Sequence, residues 1–122
     1  MLVLIYFKLL YLTSIKEANM AVVRIKDFIE NSDFAGSRKS GEKVREDIEV
    51  KLQDSTGVTL DFAQINMITQ SFGDEIVGIL TRINGIEFIK TKIRLVNYND
   101  DIKNILNYVV KYSNKFHKEE VA

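Results

Sequence analysis

Apolar and polar residues follow two different periods along this chain, and each period predicts a different kind of element. Alternation is typical of a strand with one face on a core; it occurs in Val58 to Phe62 and, through Ile93 and Leu95, in Lys92 to Asn97, and Ala21 to Lys26 is a further short strand candidate. Recurrence at intervals of three and four is typical of an amphipathic helix. The residues that recur in this way are Val44, Ile48 and Leu52; Phe72, Ile76, Ile79, Leu80 and Ile83; and Ile102, Ile105, Leu106, Val109, Val110, Ser113 and Phe116. We therefore predict three strands and three helices, while Ile86 to Lys90 fits neither period.

The order of these elements predicts the fold class. Strands that alternate with helices favour parallel pairing with right-handed helical crossovers. We therefore predict an α/β fold in which helices pack on a small sheet of about four strands. The chain has no proline and no linker rich in serine, glycine or charge, so we expect one domain over residues 20–122.

Hydroxyl, amide and acidic side chains mark where the helices are expected to begin. Ser40 stands before the first helix. Ser71, with Asp74 three residues later, has the spacing of a capping box. Asn99 or Asp100 is expected to cap the last helix, since either side chain can accept hydrogen bonds from the free amides of a first turn.

The first nineteen residues are predicted to form an apolar N-terminal extension. Leu2 to Leu12 is apolar except for Lys8, but it is shorter than the roughly 20 residues of a membrane-spanning helix. It also lacks the basic start and the small-residue cleavage site of a signal peptide. The run either forms a hairpin with Ala21 to Lys26 or precedes a natural translation start at Met20. We expect no membrane association and a cytoplasmic location.

Composition removes several functional classes. Basic and acidic residues are equal in number, 17 each, so no global excess of positive charge attracts nucleic acid or an anionic membrane. The absence of cysteine and the presence of one histidine, His117, argue against disulfides, zinc sites and a Ser-His triad. We therefore expect no metal, no cofactor and no catalytic residues, which means a protein that is not an enzyme.

Three segments in combination resemble a known family. They are Gly36-Ser37-Arg38-Lys39-Ser40-Gly41-Glu42, Leu60-Asp61-Phe62, and Ile68-Thr69-Gln70-Ser71-Phe72-Gly73-Asp74-Glu75. Together they resemble the STAS-like family of bacterial and archaeal domains, distant relatives of anti-sigma factor antagonists. The resemblance covers most of Val22 to Phe116. It implies a small sheet flanked by helices, opening with a strand or hairpin and used as a protein-binding module in regulatory switches.

The turn Thr69 to Glu75 is the first candidate site. In anti-sigma factor antagonists, the corresponding turn carries a serine that a histidine-kinase-like partner phosphorylates, preceded by an acidic residue. Thr69 stands where the acid would be, so two interpretations of Ser71 remain: a helix cap, or a hydroxyl that is modified or contacts a partner. Thr69 is the alternative acceptor. A phosphate would gain from the helix dipole but would add roughly −1.5 to −2 charge beside Asp74 and Glu75.

The loop Gly36 to Gly41 is the second candidate site. Its glycines, serines and cations directly precede a helix, as in phosphate-binding loops. A P-loop requires lysine and then a hydroxyl after its second glycine, whereas Glu42 and Lys43 occupy those positions. This departure argues against a nucleotide hydrolase of that class. A weaker anion site is one interpretation, and a solvated loop with a helix cap at Ser40 is the other. The candidate anion-binding residues are Ser37, Arg38, Lys39 and Ser40.

Asp61 and the aromatic residues near the last helix each have two interpretations. Asp61 is expected near the carboxyl end of a strand, where ligands bind in open α/β sheets, or else it caps or salt-bridges a neighbouring loop. The aromatic residues either belong to the core or form an exposed patch for a partner. They are Tyr98, Tyr108, Tyr112 and Phe116.

These observations lead to three hypotheses about function. The leading one is a non-enzymatic regulatory protein-interaction module that docks through the turn Thr69 to Glu75, with phosphorylation as an open question. Its candidate partners are a histidine-kinase-like ATPase, another regulator, or a second copy in a homodimer. The alternative is a nucleotide- or phosphate-sensing domain that uses the loop Gly36 to Gly41. The third is an enzyme acting on nucleic acid or a phosphoester through Asp61, Asp74 and Glu75, which lacks a compact motif.

Overall fold

The computed structural model describes residues 19–117. The predicted N-terminal extension lies outside this range except for Asn19, so the hairpin and the alternative translation start stay predictions. No helix within residues 19–117 combines the length and the apolar character needed to cross a membrane.

Five strands form two small parallel sheets in this part of the chain. They are β1 (Met20–Arg24), β2 (Phe34–Ala35), β3 (Gly57–Asp61), β4 (Met67–Ile68) and β5 (Ile93–Val96). β3 is central in the larger sheet, where Leu60 pairs with Val23 of β1 on one side and with Leu95 of β5 on the other. β2 and β4 pair with each other. Alternation does not reveal these two strands, because each is only two residues long.

Four helices join the strands in the same part of the chain. They are α1 (Arg38–Asp54), α2 (residues 70–84), α3 (Ile86–Lys92) and α4 (Asp100–Asn114), with a 3-10 turn (Ile25–Phe28) after β1. The segment Ile86 to Lys90, which fits neither period, is helical within α3. Asn99 caps α4, where its Oδ1 accepts a 2.9 Å hydrogen bond from the amide of Ile102. The α/β class predicted from the order of elements is confirmed.

The hydrophobic core lies against one face of the larger sheet. Successive strand residues point to opposite faces, and Val23 and Leu60 are buried against helix residues that include Ile48 and Leu106. Val22 points to the other face and is 50% exposed. The helices and the sheet therefore form two layers around one core.

The middle of α2 contacts both α1 and α4, and this packing brings three distant segments together. Gly41 in the first turn of α1 allows a close approach, because a Cβ built there would lie 2.7 Å from Cβ of Glu75 in α2. Phe72 in the first turn of α2 is buried in the core. The starts of α1 and α2 therefore lie beside the second half of α4.

A candidate docking site where three helices meet

The first turn of α1 begins earlier than the sequence pattern predicts. Ser37 is the N-cap: its backbone is extended, and its Oγ accepts a 3.1 Å hydrogen bond from the amide of Ser40. The prediction that Ser40 caps this helix is therefore wrong. Ser40 already lies inside the helix, where its Oγ is 3.0 Å from that of Ser37.

The first turn of α2 also begins earlier than predicted. Thr69 has an extended backbone, and its Oγ1 accepts a 3.0 Å hydrogen bond from the amide of Phe72. The same hydroxyl donates a 2.7 Å hydrogen bond to the carbonyl of Gly36, which ties α2 to the loop before α1. The capping-box prediction is wrong, because Ser71 lies within the helix and Thr69 performs the capping.

A single turn of π-helix (Asp74–Gly78) lies within α2, between the α-helical segments Gln70–Gly73 and Ile79–Asn84. The amide of Ile79 donates to the carbonyl of Asp74, five residues earlier. Residues eight apart project about 80° from each other in an uninterrupted α-helix, and the wider period of the π turn brings Asp74 closer to the face of Arg82. Gly78 leaves the space that the carboxylate occupies, because a Cβ built there would collide with Oδ1 of Asp74.

Asp74 is bound by two arginines. Its Oδ1 accepts a 2.7 Å hydrogen bond from Nη1 of Arg82, and its Oδ2 accepts from Nη2 of the same guanidinium at 3.4 Å. Nη1 of Arg38 donates to Oδ2 at 3.0 Å. The hydrogen bond from Arg82 is the main reason that the pKa of Asp74 lies below its ordinary value; Arg38 also lowers it, while partial burial opposes the shift. Asp74 is therefore a carboxylate at neutral pH.

Glu75 has a similar environment on the side facing α1. Its Oε1 accepts a 3.1 Å hydrogen bond from Nη1 of Arg38, and its Oε2 pairs with the guanidinium of Arg45. Arg45 also donates a 3.1 Å hydrogen bond to the backbone carbonyl of Glu75. The side chain of Glu75 is 13% exposed, so this acid holds α1 against α2 and presents little surface to a partner.

Arg38 does not point into the loop that precedes it. A single nitrogen, Nη1, donates to both Asp74 and Glu75, while the side chain remains 55% exposed. The expected grouping of Arg38 with Lys39 around one anion is therefore not formed. Lys39 and Ser40 line a different, wide cavity of about 760 Å³ together with Ser37 and Phe34.

Residues of α2, the start of α1 and the second half of α4 surround a polar cavity of about 470 Å³. Its wall includes Gln70, which is exposed, and Ser71, which is half-buried. Neither of these side chains has a hydrogen-bond partner within residues 19–117. Arg38, Asp74 and Arg82 complete this side of the cavity.

The opposite wall of the same cavity comes from α4. Tyr108 and Tyr112 are 54% and 49% exposed, and their rings stack with centroids 6.0 Å apart. Tyr112 also contacts Phe116, which is exposed as well, at 5.2 Å between centroids. Three of the four aromatic residues therefore form an exposed patch along α4 and just beyond its end, whereas Tyr98, which is also exposed, precedes α4 and does not line this cavity. Ser113, buried on the same helix, accepts a 3.0 Å hydrogen bond from Nη1 of Arg82.

Asp61 lies outside this constellation. Its Oδ1 accepts 2.9 Å hydrogen bonds from the amide of Ala63 and from Nδ2 of Asn97. These bonds, led by the one from Asn97, lower the pKa of Asp61. The interpretation of Asp61 as the cap of a neighbouring loop is confirmed. Asp61 lines a separate cavity of about 260 Å³, so the structure does not assemble it with Asp74 and Glu75.

Several residues of the site do not follow from the sequence pattern. Arg82, Arg45 and Ser113 become part of it only because α1, α2 and α4 pack together. A weak signal exists for Tyr108 and Tyr112, since their spacing of four residues places them on one face of a helix. The acids Asp74 and Glu75 are recognisable as polar residues near a helix start, but their arginine partners are not.

Comparison with other proteins identifies the chain at the level of a family. The family model described as a STAS-like domain of unknown function (DUF4325) matches residues 40–103, just over half of the chain. The matched range holds most of α1, all of β3 to β5 and all of α2 and α3, while Arg38 and the tyrosines of α4 lie outside it. No curated protein and no solved structure matches the chain. The resemblance inferred from the loop before α1, β3 and the turn into α2 is confirmed, and the chain belongs to the STAS-like domain family DUF4325.

Proposed function

We propose that this STAS-like chain is a non-enzymatic regulatory module that binds a protein partner where α1, α2 and α4 meet. The proposed docking surface consists of Arg38, Gln70, Ser71, Tyr108 and Tyr112. One observation carries the proposal: polar groups without partners in the described structure converge on one cavity beside two exposed, stacked tyrosines.

The composition of the docking surface suits a protein interface. Tyrosine and arginine are enriched at the centres of such interfaces, because each combines a large contact area with directional hydrogen bonds. Tyr108 and Tyr112 present their ring faces and hydroxyls from one helix, and Arg38 lies across the cavity. A partner that buries these rings would gain apolar contact and polar specificity together.

The ionisable groups favour binding over catalysis. Asp74 is held by Arg82 and Arg38, and Glu75 by Arg38 and Arg45. The pKa of Asp74 lies below its ordinary value, which makes it a poor proton donor near neutral pH. This pattern supports a structural role for both acids, in which they hold the docking surface in shape.

Phosphorylation of Ser71 is the switch that fits this proposal. The hydroxyl lines the cavity and has no partner among the described residues, so a phosphate there breaks no existing hydrogen bond. Its charge of roughly −1.5 to −2 would compete with Asp74 for Arg38 and change what the surface can bind. Thr69 is a poorer acceptor, because its hydroxyl is already engaged with Phe72 and Gly36.

The nucleotide-sensing alternative has less support. Arg38 is directed to Asp74 and Glu75, and Gly41 packs against Glu75. The cavity beside the loop Gly36 to Gly41 therefore has two lysines, Lys39 and Lys43, as its cations, without the arginine fork that would hold a phosphate through two parallel hydrogen bonds.

Site-directed photo-crosslinking in cells of the source organism tests the proposal. A photoreactive phenylalanine analogue replaces Tyr108 or Tyr112, and the matched control places it at Ile83, which is 66% exposed. We expect both tyrosine positions to crosslink to the same protein and the Ile83 position not to do so. An adduct of twice the chain mass would identify a second copy as the partner.

A binding assay with the purified partner completes the test. The double variant Tyr108→Ala/Tyr112→Ala should weaken binding at least tenfold, since exposed aromatic residues at interface centres carry much of the affinity. The control Val50→Ala, also at an exposed apolar position, should bind as the wild type does. Equal crosslinking from Ile83, or unchanged binding by the double variant, would contradict the proposed docking surface.

A further inference from the structure

We infer that the cavity beside Ser71 receives a single carboxylate side chain, aspartate or glutamate, of the partner protein. This inference rests on the proposed function and names the chemistry by which the partner is recognised. It follows from the unused donors of Arg38, from the other polar groups of the cavity, and from the charge balance of its wall.

Three of the five N–H donors of the Arg38 guanidinium are unused within residues 19–117. Nη1 alone donates to Oδ2 of Asp74 and Oε1 of Glu75, at 3.0 and 3.1 Å. Nη2 and Nε therefore retain donors without a partner in the described structure, on a side chain that is 55% exposed. These two nitrogens form one edge of the guanidinium, and such an edge binds a carboxylate through two parallel hydrogen bonds.

The rest of the cavity offers further polar groups to the same ligand. The hydroxyl of Ser71 and the amide of Gln70 line it without partners among residues 19–117. The hydroxyls of Tyr108 and Tyr112 are likewise without hydrogen bonds in that range. Groups that can donate thus surround the cavity on two sides, while the carboxylate already present, Asp74, is bound by Arg82.

The net charge of the residues that line the cavity matches a ligand with one negative charge. The charged residues that line the cavity are two arginines, Arg38 and Arg82, and one acid, Asp74. Their excess of one positive charge balances one carboxylate. A phosphate monoester carries roughly −1.5 to −2 charge at neutral pH, which exceeds this balance and adds repulsion from Asp74, so the balance favours a carboxylate over a phosphorylated side chain.

The tyrosines indicate what flanks the acid. The stacked rings of Tyr108 and Tyr112 form an apolar wall next to the polar floor. A partner segment with an acidic side chain beside an apolar one would satisfy both parts of the cavity. A partner that covers these rings would exclude water and so strengthen a charge-assisted hydrogen bond to Arg38.

Titrations of the ¹⁵N-labelled full chain, monitored by NMR, test the inference without the partner. The probes are N-acetylglutamate N-methylamide, its glutamine analogue, and N-acetylphosphoserine N-methylamide. We expect the glutamate probe to shift the amide signals of Gln70, Ser71 and Tyr112 saturably. The glutamine probe should bind at least tenfold more weakly, and added salt should weaken the glutamate probe because ionic attraction is screened.

Substitutions of Arg38, with matched controls, locate the effect. Arg38→Gln should weaken the glutamate probe at least tenfold, and Arg38→Lys should do so less severely, because lysine keeps the charge but not the planar fork. Arg24→Gln removes an exposed arginine from β1, a strand that contributes no residue to this cavity, and should leave the titration unchanged. The dispersion of the amide signals confirms that each variant is folded, and Ser71→Ala provides a second, milder change in the same cavity.

The outcomes separate this inference from the proposed function. Equal binding of the glutamate and glutamine probes, tighter binding of the phosphoserine probe, or an unchanged titration in Arg38→Gln would overturn carboxylate recognition. If crosslinking at Tyr108 still succeeded, the docking surface would stand with a different chemistry. If the glutamate probe bound as expected while no protein crosslinked, the carboxylate site would stand and the protein-binding function would be wrong.

Discussion

The first turns of α1 and α2 have the same sequence pattern and different environments. Each begins at a hydroxyl cap, Ser37 or Thr69, and each has a glycine four residues after the cap, Gly41 or Gly73. Ser37 is exposed and bonds only within its own turn, whereas Thr69 also reaches the carbonyl of Gly36. The comparison shows that a local signal can set where a helix begins, while its neighbours decide what the first turn does.

The glycines of the two turns differ in the same way. A Cβ built at Gly41 would lie 2.7 Å from Cβ of Glu75, whereas one built at Gly73 would find its nearest contacts, on Leu106 and Val109, at 3.5 Å. Gly41 is therefore required by close helix packing, and Gly73 is not. Identical spacing in the sequence thus corresponds to two different physical reasons for a glycine.

The largest predicted effect comes from adding a methyl group to these glycines. Gly41→Ala should lower the free energy of unfolding by up to about 2 kcal/mol, because overpacking costs about 1–3 kcal/mol and the better helix propensity of alanine returns about 1 kcal/mol. Gly73→Ala should instead raise the free energy of unfolding, by up to about 1 kcal/mol. Urea unfolding of both variants measures the difference. Equal effects of the same sign would show that the two turns are packed alike.

The second-largest predicted effect comes from removing the hydroxyl side chains that cap α1 and α2. Thr69→Ala should destabilise the protein by about 1–2 kcal/mol, because it removes a cap and leaves the carbonyl of Gly36 without its partner. Ser37→Ala should cost about 0.5–1 kcal/mol, since only a cap is lost. The matched controls Ser71→Ala and Ser40→Ala should each stay within about 0.5 kcal/mol. Thermal and urea unfolding test this order, and a larger loss in Ser71→Ala than in Thr69→Ala would restore Ser71 as the cap.

The smallest predicted effect is the dependence of stability on pH. It distinguishes the acidic turn of α2 from the start of α1, because the first turn of α1 has no acid. The hydrogen bond from Arg82 lowers the pKa of Asp74 in the folded protein, below the value of about 3.9 expected in the unfolded chain. Between these two values the unfolded state binds more protons, so stability rises with pH there. The contribution of Asp74 is therefore fully present above about pH 4 and is lost as the pH falls through the folded pKa.

The variant Asp74→Asn isolates this contribution. It should be less stable than the wild type at pH 7, and the difference should shrink as the pH is lowered toward 3, because the unfolded wild-type chain then takes up a proton at Asp74 before the folded chain does. Ser71→Ala lines the same cavity and does not titrate, so its difference from the wild type should stay constant with pH. A difference between Asp74→Asn and the wild type that is constant with pH would show that the ion pair with Arg82 does not stabilise the fold.

The fold class was within reach of the sequence, because β3, β5 and the long helices each carry an apolar period and follow one another along the chain. The positions of the caps were not, since Thr69 and Ser71, or Ser37 and Ser40, are equally suitable hydroxyls within three residues of each other. Backbone geometry decides between them, and that geometry depends on where the preceding loop is held. The short strands β2 and β4 could not be predicted from the sequence for a related reason, because two residues cannot show a period.

Only one part of the candidate site, the turn into α2, could be predicted from the sequence. The turn into α2 is visible as a polar interruption between apolar segments, and Asp74 and Glu75 stand out there. Arg82 is eight residues after Asp74, and the contact between them depends on the π turn. No pattern in the apolar residues indicates that turn. The tyrosines of α4 become part of the site only through packing across the core. Local sequence thus indicates the residues of the turn into α2, whereas Arg82 and the tyrosines join the site only through tertiary packing.

The π turn of α2 also has a consequence for how this surface can change over time. A π turn takes up about one residue more than a turn of α-helix, so removing one residue between Asp74 and Gly78 would restore an ordinary α-helix and leave the segments on either side facing in nearly the same directions. Ser71 would still lie beside Tyr108, and the apolar contacts of Leu80 and the rest of the helix would be kept. The domain can therefore gain or lose one residue here in evolution without changing which side chains face a partner.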